Sequence, residues 1–289
     1  MQQISNEFIQ VSISEKGAEL QSIILLAEHL EYMWSADAAY WSKKSPVLFP
    51  IVGGLKNNAY QYKGNTYTLP RHGFAREKDF TVTAQSPESI TFTLVDDAES
   101  LQVYPFNFSF SITYTLAKNV IAIHYLVKNK GDGPMYFSVG AHPAFAVPLL
   151  KGTDFSDYYL AFDQSESSAK WPLSDTGLIK ETAEDFLQDT KRLPLEKEIF
   201  YGDALVFKDL RSTAISILTD KSGHGLTVSY KEFPYMGIWS FKDADFVCIE
   251  PWCGIADSVD ASGNIEEKEG INKLDPSEQF IRQWNIEVY

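Results

Sequence analysis

The sequence predicts an all-β protein, a large antiparallel β-sandwich formed by one domain over residues 1–289. Three observations carry that expectation. The run "FNFSFSITYTL" sets Phe106, Phe108, Phe110, Ile112, Tyr114 and Leu116 on one face, a period of two that helical spacing cannot produce. Short runs rich in β-branched and aromatic residues recur along the chain, each closed by Gly, Pro, Asn or Asp. Strand follows strand without the βαβ rhythm that would signal a parallel sheet.

The elements follow in chain order. "SITFTLVDD" brings Ile90, Phe92 and Leu94 to one face ahead of the long alternating run. "NVIAIHYLVKN" comes after it, and "MYFSVGA", "DYYLAF", "DALVFKDL", "TAISILTD", "GLTVSYK" and "DFVCIEPW" read as further strands. Phe280, Trp284, Ile286 and Val288 make a last stripe that Arg282 interrupts. "KGN", "KNKGDGP", "KSGHG" and "DASGN" supply the turns. Helix candidates are few: Asp37 to Lys44, Lys180 to Lys191 and Leu195 to Phe200. No repeat, low-complexity linker or composition shift marks a boundary, and 289 residues suffice for one full core.

Charge and composition narrow the function. A net charge of -14 repels phosphate backbones and anionic lipid, so neither nucleic acid nor a membrane surface is expected as partner. The N-terminal "MQQISNEFIQVSIS" has no basic flank leading into an apolar run, and no stretch approaches the ~20 apolar residues that span a bilayer. A cytoplasmic location is the expectation. Cys248 and Cys253 do not have zinc-ribbon spacing and read as reduced, structural thiols, with no metal. Phosphate-loop, dinucleotide and nucleophile-elbow motifs are missing, and "GGLKNN" at Gly53 to Asn58 reads as a turn.

Three residues stand out as chemistry. Of five histidines, His29 and His224 fall in loops and His124 on a strand face, where structural roles are ordinary. His72 in "RHGFAR" and His142 in "GAHPAF" each end a strand on rigid punctuation, where catalysis and plain turn structure both remain open. Glu250 lies inside the apolar run "FVCIEPW", sharing a strand face with Phe246 and Cys248. A carboxylate there needs a partner, or a cleft in which desolvation raises its pKa; the alternative is a strand end reaching water. Phe74, Phe145, Trp239 and Trp252 are near these groups in sequence, and sugars are held by flat rings with a few directional hydrogen bonds.

"LFPIVGG", "YQYKGNTYTLPRHGFAR", "GAHPAF" and "CIEPW" together resemble the aldose 1-epimerase (galactose mutarotase-like) superfamily, and within it the LacX branch. The resemblance runs from "GAELQSI" to the last strand. It implies a β-supersandwich with the sugar in a cleft, and opening of a hemiacetal by one base and one acid, without metal or redox cofactor. Carried over by residue, it implies Glu250 as general base, His142 as the acid to the ring oxygen and His72 as an assisting hydrogen bonder. Asp203 in "YGDALVF" matches a hydroxyl-binding aspartate, and Trp239 and Trp252 would line the cleft. Arg76, Arg71 and Lys56 are the candidate cations for hydroxyls or a phosphate. Where related sequences carry an arginine, this chain has Gly54, which weakens the phosphate reading.

The expected function is therefore an aldose 1-epimerase-like isomerase acting on a hexose or hexose phosphate. A sugar-binding or sensing protein with little turnover is the alternative, and a glycosidase a distant third, because only one carboxylate stands out. Partners are small sugars or sugar phosphates, with monomer and homodimer both open.

Overall fold

The computed structural model describes residues 1–289. Its largest sheet has nine antiparallel strands. In spatial order they are Thr190–Pro194, Tyr158–Glu166, Ala214–Thr219, Leu226–Ser229, Gln279–Val288, Val120–Asn129, Phe108–Ala117, Ser89–Val95 and Thr81–Ser86. Near its middle Phe108–Ala117 and Val120–Asn129 pair along their whole length, turning at Lys118 and Asn119. The alternation read from sequence is the burial pattern: Phe108, Phe110, Ile112, Tyr114 and Leu116 are buried, and the residues between them face outward. Burying a side chain of this size is worth about 1.5–3 kcal/mol, which fixes the register, since a one-residue slip would expose all five.

Smaller sheets form the other layer. Gln2–Ser5, Ile9–Ile13, Leu20–Leu25 and Leu30–Glu31 make one. Val139–Gly140, Phe246–Cys253, Tyr235–Trp239 and Leu205–Phe207 make the next in that order, with Ala144–Ala146 also pairing to Phe246–Cys253. A core of 64 buried residues joins these layers, including Ile112 and Trp284 from the large sheet and Val247 and Ile249 from the small one.

All eight residues of Phe246–Cys253 are buried, so this strand has two covered faces. Val247 and Ile249 enter the common core. Phe246, Cys248, Glu250 and Trp252 project to the opposite side, where the remaining apolar clusters lie.

The helix expectations fail. The one α-helix is the single turn Ser100–Val103. Asp37 to Lys44 forms turns, with Tyr40 and Trp41 both donating to the Asp37 carbonyl. Lys180 to Lys191 holds the two-residue strand Glu184–Asp185, and only the tight 3-10 turn Lys197–Phe200 forms within the third candidate. The apolar residues these segments carry, Phe186 and Leu187 in the second and Leu195, Ile199 and Phe200 in the third, reach the core from non-helical chain and a 3-10 turn, and segments this short have little helical stability of their own. The interruption at Arg282 is tolerated because its guanidinium rides over the Phe280 ring at 4.4 Å, and Nε donates to the Glu232 carbonyl. No helix is long and apolar enough to cross a membrane.

Candidate active site

A cavity of about 560 Å³ opens on the outer face of the Phe246–Cys253 strand. Glu250 is opposite Gly237 on one neighbouring strand. On the other side, Gly140 pairs with Trp252 and Ala144 with Cys248, so the register places His142 directly opposite Glu250. The ladder is interrupted there because Pro143 has no N–H to contribute, and the imidazole is left facing the carboxylate. His142 Nδ1 lies 3.4 Å from Glu250 Oε1. Two residues 108 positions apart thus meet as a cross-strand pair.

Both groups are deeply covered, His142 at 8% exposure and Glu250 at 1%. Burial pushes the Glu250 carboxyl well above its ordinary range, opposed by the positive charge of Arg71. Burial likewise pushes His142 down, with Arg71 and Arg76 adding to the effect. Neither Glu250 Oε2 nor His142 Nδ1 has a hydrogen-bond partner within the protein. The low-dielectric surroundings favour the uncharged form of each group. Cys248 comes to the same place from the same strand face, its sulfur within 4.8 Å of the donor atoms of both.

His72 reaches the cavity from a strained turn. Its φ is 70° and that of Gly73 is 71°, two successive left-handed residues. A Cβ at position 73 would come within 2.3 Å of the Phe49 carbonyl oxygen, so only glycine fits. The Gly53 peptide holds the ring: His72 N donates to Gly53 O at 2.8 Å, and Gly53 N donates to His72 Nδ1 at 3.1 Å. With Nδ1 accepting, the neutral ring carries its proton on Nε2 and offers it as a donor. Burial holds His72 in that neutral form, reinforced by His142, whose ring centre is 5.8 Å away.

The two arginines of the "RHGFAR" segment also line the cavity. Arg76 donates through Nη2 to the Arg71 carbonyl at 3.0 Å, while its Nε is buried without a partner. Arg71 Nη1 lies 3.8 Å from Asp203 Oδ2. Asp203 has a φ of 86°, a conformation costing on the order of 1–3 kcal/mol, and its Oδ1 accepts from the Ala204 N–H. Rings complete the walls. Trp41 stacks on His142 at 4.9 Å, Trp239 meets it edge-on at 5.5 Å, and Trp252 lines the floor beside Glu250.

Of the residues singled out in sequence, Glu250, His142, His72, Arg71, Arg76, Asp203, Trp239 and Trp252 all border this one cavity. Lys56 does not. Its backbone N–H donates to Asp257 and its ammonium reaches the Ala261 carbonyl at 3.2 Å, so the turn at Lys56–Asn58 directs it away. Phe74 and Phe145 also turn from the site into the main core. Sequence reading missed Trp41, Tyr201, Phe241 and Lys242 on the cavity wall. They lie in turns without periodicity, and the one available signal was the aromatic density of "YWSKK" and "IWSFK".

A carboxyl and an imidazole side by side in a cavity walled by tryptophans, with arginine and aspartate as further hydrogen bonders, suit a polar ring with apolar faces. Residues 1–274 match the family described as Aldose 1-epimerase. The chromosomal protein LacX of Lactococcus lactis subsp. lactis is 33% identical over 295 residues, covering 99% of this chain and 98% of the relative. A galactose mutarotase related enzyme from Lactobacillus acidophilus superposes with a TM-score of 0.95 at 40% identity, covering 100% of this chain and 97% of that one. A galactose mutarotase-like protein from Lactobacillus casei ATCC 334 gives 0.94 at 30% identity, with full coverage of both.

Proposed function

Because the chain belongs to the aldose 1-epimerase family, we propose that it interconverts the α and β anomers of an aldohexose, with Glu250 and His142 as the acid–base pair. The observation that carries this reading is the 3.4 Å approach of His142 Nδ1 to Glu250 Oε1 inside the tryptophan-walled cavity.

In the ionic form of the pair, Glu250 takes the proton of the C1 hydroxyl while His142 gives one to the ring oxygen. The C1–O5 bond breaks and C1 becomes an aldehyde carbon. The pair is then a carboxylic acid beside a neutral imidazole, the distribution that burial favours, so the surroundings help to draw the proton from the sugar. Arg71 opposes this and keeps the carboxylate accessible. Rotation about C1–C2 followed by the reverse transfers closes the ring on its other face. His72 supplies a neutral donor beside the imidazole, and Trp41 stacking fixes the imidazole plane.

Anomer exchange is measured by polarimetry or saturation-transfer NMR on freshly dissolved sugars. The proposal expects exchange well above the spontaneous rate, and a Glu250→Gln variant reduced by about 10²–10⁴-fold while still binding sugar. Full activity in that variant would overturn it. A hexose phosphate is the second reading of the substrate. It is supported by Arg71, Arg76 and Lys242 bordering one cavity of a chain whose net charge is -14. Running glucose and glucose 6-phosphate side by side separates the two.

A further inference from the structure

Cys248 has no part in the acid–base reading, yet it presents a sulfur to the same point in space as the pair. We propose that His142, Cys248 and Glu250 form a three-ligand site for a borderline-soft divalent cation of the zinc class, and that the bound ion switches the cavity off.

The geometry is that of a ligand set. One nitrogen, one sulfur and one carboxylate oxygen all lie within 4.8 Å of one another. Around a tetrahedral zinc ion with bonds of about 2.0–2.2 Å to N and O, those two ligand atoms sit roughly 3.3–3.5 Å apart. The His142–Glu250 separation is already 3.4 Å. Only the sulfur has to close in, and it is carried on the same strand face as Glu250, two residues earlier.

The donors are also unspent. His142 Nδ1 and Glu250 Oε2 are buried polar atoms with no hydrogen-bond partner in the protein, on residues 8% and 1% exposed. Cys248 is 0% exposed and unpaired. A mixed N/S/O set selects zinc-class ions over Mg²⁺ and Ca²⁺, which prefer all-oxygen cages. His142 and Glu250 border the cavity, so a bound ion would have its fourth position toward water, the pattern of an open rather than a closed zinc site. Arg71 and Arg76 oppose a cation, and Asp203 offsets the first of them. Binding requires the thiolate, so the Cys248 proton leaves to solvent, as does any proton held by Glu250. Cys253, by contrast, belongs to the main core on the other side of the sheet and provides an internal control.

Metal uptake stands on geometry alone, whereas inhibition rests on the proposed function. The whole protein, stripped of metal, is titrated with Co²⁺ while the thiolate-to-cobalt absorption in the near ultraviolet is followed. It is then titrated with Zn²⁺ by calorimetry and in the anomer-exchange assay. The expected result is one ion per chain, a cobalt–thiolate band, and inhibition by Zn²⁺ that a chelator reverses. C248S should lose the band and weaken zinc binding at least about 100-fold, since even outer contacts of a zinc site are worth 10–100-fold. C253S, outside the site, should keep the band and exchange anomers as the parent does. If C248S fails to fold, C248A reads the same quantities. Absence of a band in the parent, or equal zinc affinity in a folded Cys248 variant, overturns the proposal. A band in a protein that never accelerates anomer exchange leaves the metal site standing and removes the proposed function instead.

Discussion

The indole of Trp252 lies so close over Gly237 that a Cβ at that glycine would come within 2.3 Å of the ring's Cζ2. From the other neighbouring strand, a Cβ at Gly140 would approach Trp252 Cδ1 to 2.6 Å. The ring is seated on two glycines, and its own backbone is two residues from Glu250. Gly237→Ala should therefore displace the indole or the strand, costing about 1–3 kcal/mol by overpacking. Chemical denaturation measures the stability loss. A fall in kcat/KM on top of it would show that the indole's position is transmitted to the acid–base pair.

Glu250 combines burial with incomplete pairing, which is costly for stability and useful for proton transfer. Glu250→Gln is expected to slow anomer exchange by the same 10²–10⁴-fold or so while leaving Tm at neutral pH unchanged or raised, because a buried ionisable group is replaced by a neutral isostere. Thermal melts of parent and variant at pH 7.5 check this. A large drop in Tm would mean that the carboxylate is chiefly a structural anchor.

His72 should act through its geometry rather than its charge. Asparagine tolerates positive φ, so His72→Asn preserves the turn at 72–73 but removes the Nε2 donor. The expected outcome is an intact fold and a fall in kcat of about 10-fold or more, with a smaller change in KM. Steady-state kinetics on one sugar separates the two parameters.

Behind the cavity, Lys268 and Asp257 form an ion pair at 2.7 Å with both side chains almost wholly buried, and the second Asp257 oxygen accepts from the Lys56 N–H. Removing one partner strands the other charge. Lys268→Ala should cost about 3–5 kcal/mol, whereas a double replacement by apolar residues of similar size should cost far less. Urea unfolding of the single and double variants measures the difference.

Acid sensitivity has a local source at Glu77, whose carboxyl is held down at about 2 by hydrogen bonds from Lys43 and Lys16. Its folded value lies below the ordinary one of 4.5, so the stabilisation is complete above that pH and drains away as pH falls toward 2. The side chain is half exposed, so the effect is small and screened by salt. Glu77→Gln should lower Tm slightly at pH 7, with the gap closing by pH 2 and shrinking in high salt.

The strands were legible because burial on one face writes a period of two into the chain, as Phe106 to Leu116 shows. Short turns held by single contacts leave no such trace, which is why Asp37 to Lys44 reads as a helix candidate and Trp41 passes unnoticed. The pair itself was half visible. An apolar strand containing Glu250, and a His-Pro at a strand end, each announced something unusual. That they share a register position depends on which strands become neighbours, and the Gly140–Trp252 and Ala144–Cys248 pairings supply that information only once the sheet has formed. Lys56 was misplaced for the same reason: a charge near a motif says nothing about the direction of its side chain.

The strand that carries Glu250 is also a central timber of the fold, with Val247 and Ile249 embedded on its reverse side. The proposed chemistry and the architecture are thus two surfaces of one eight-residue segment, with no hinge between them. Warming should not disable this molecule in stages: the proposed reactive centre is expected to survive until the whole scaffold gives way, and then to vanish with it.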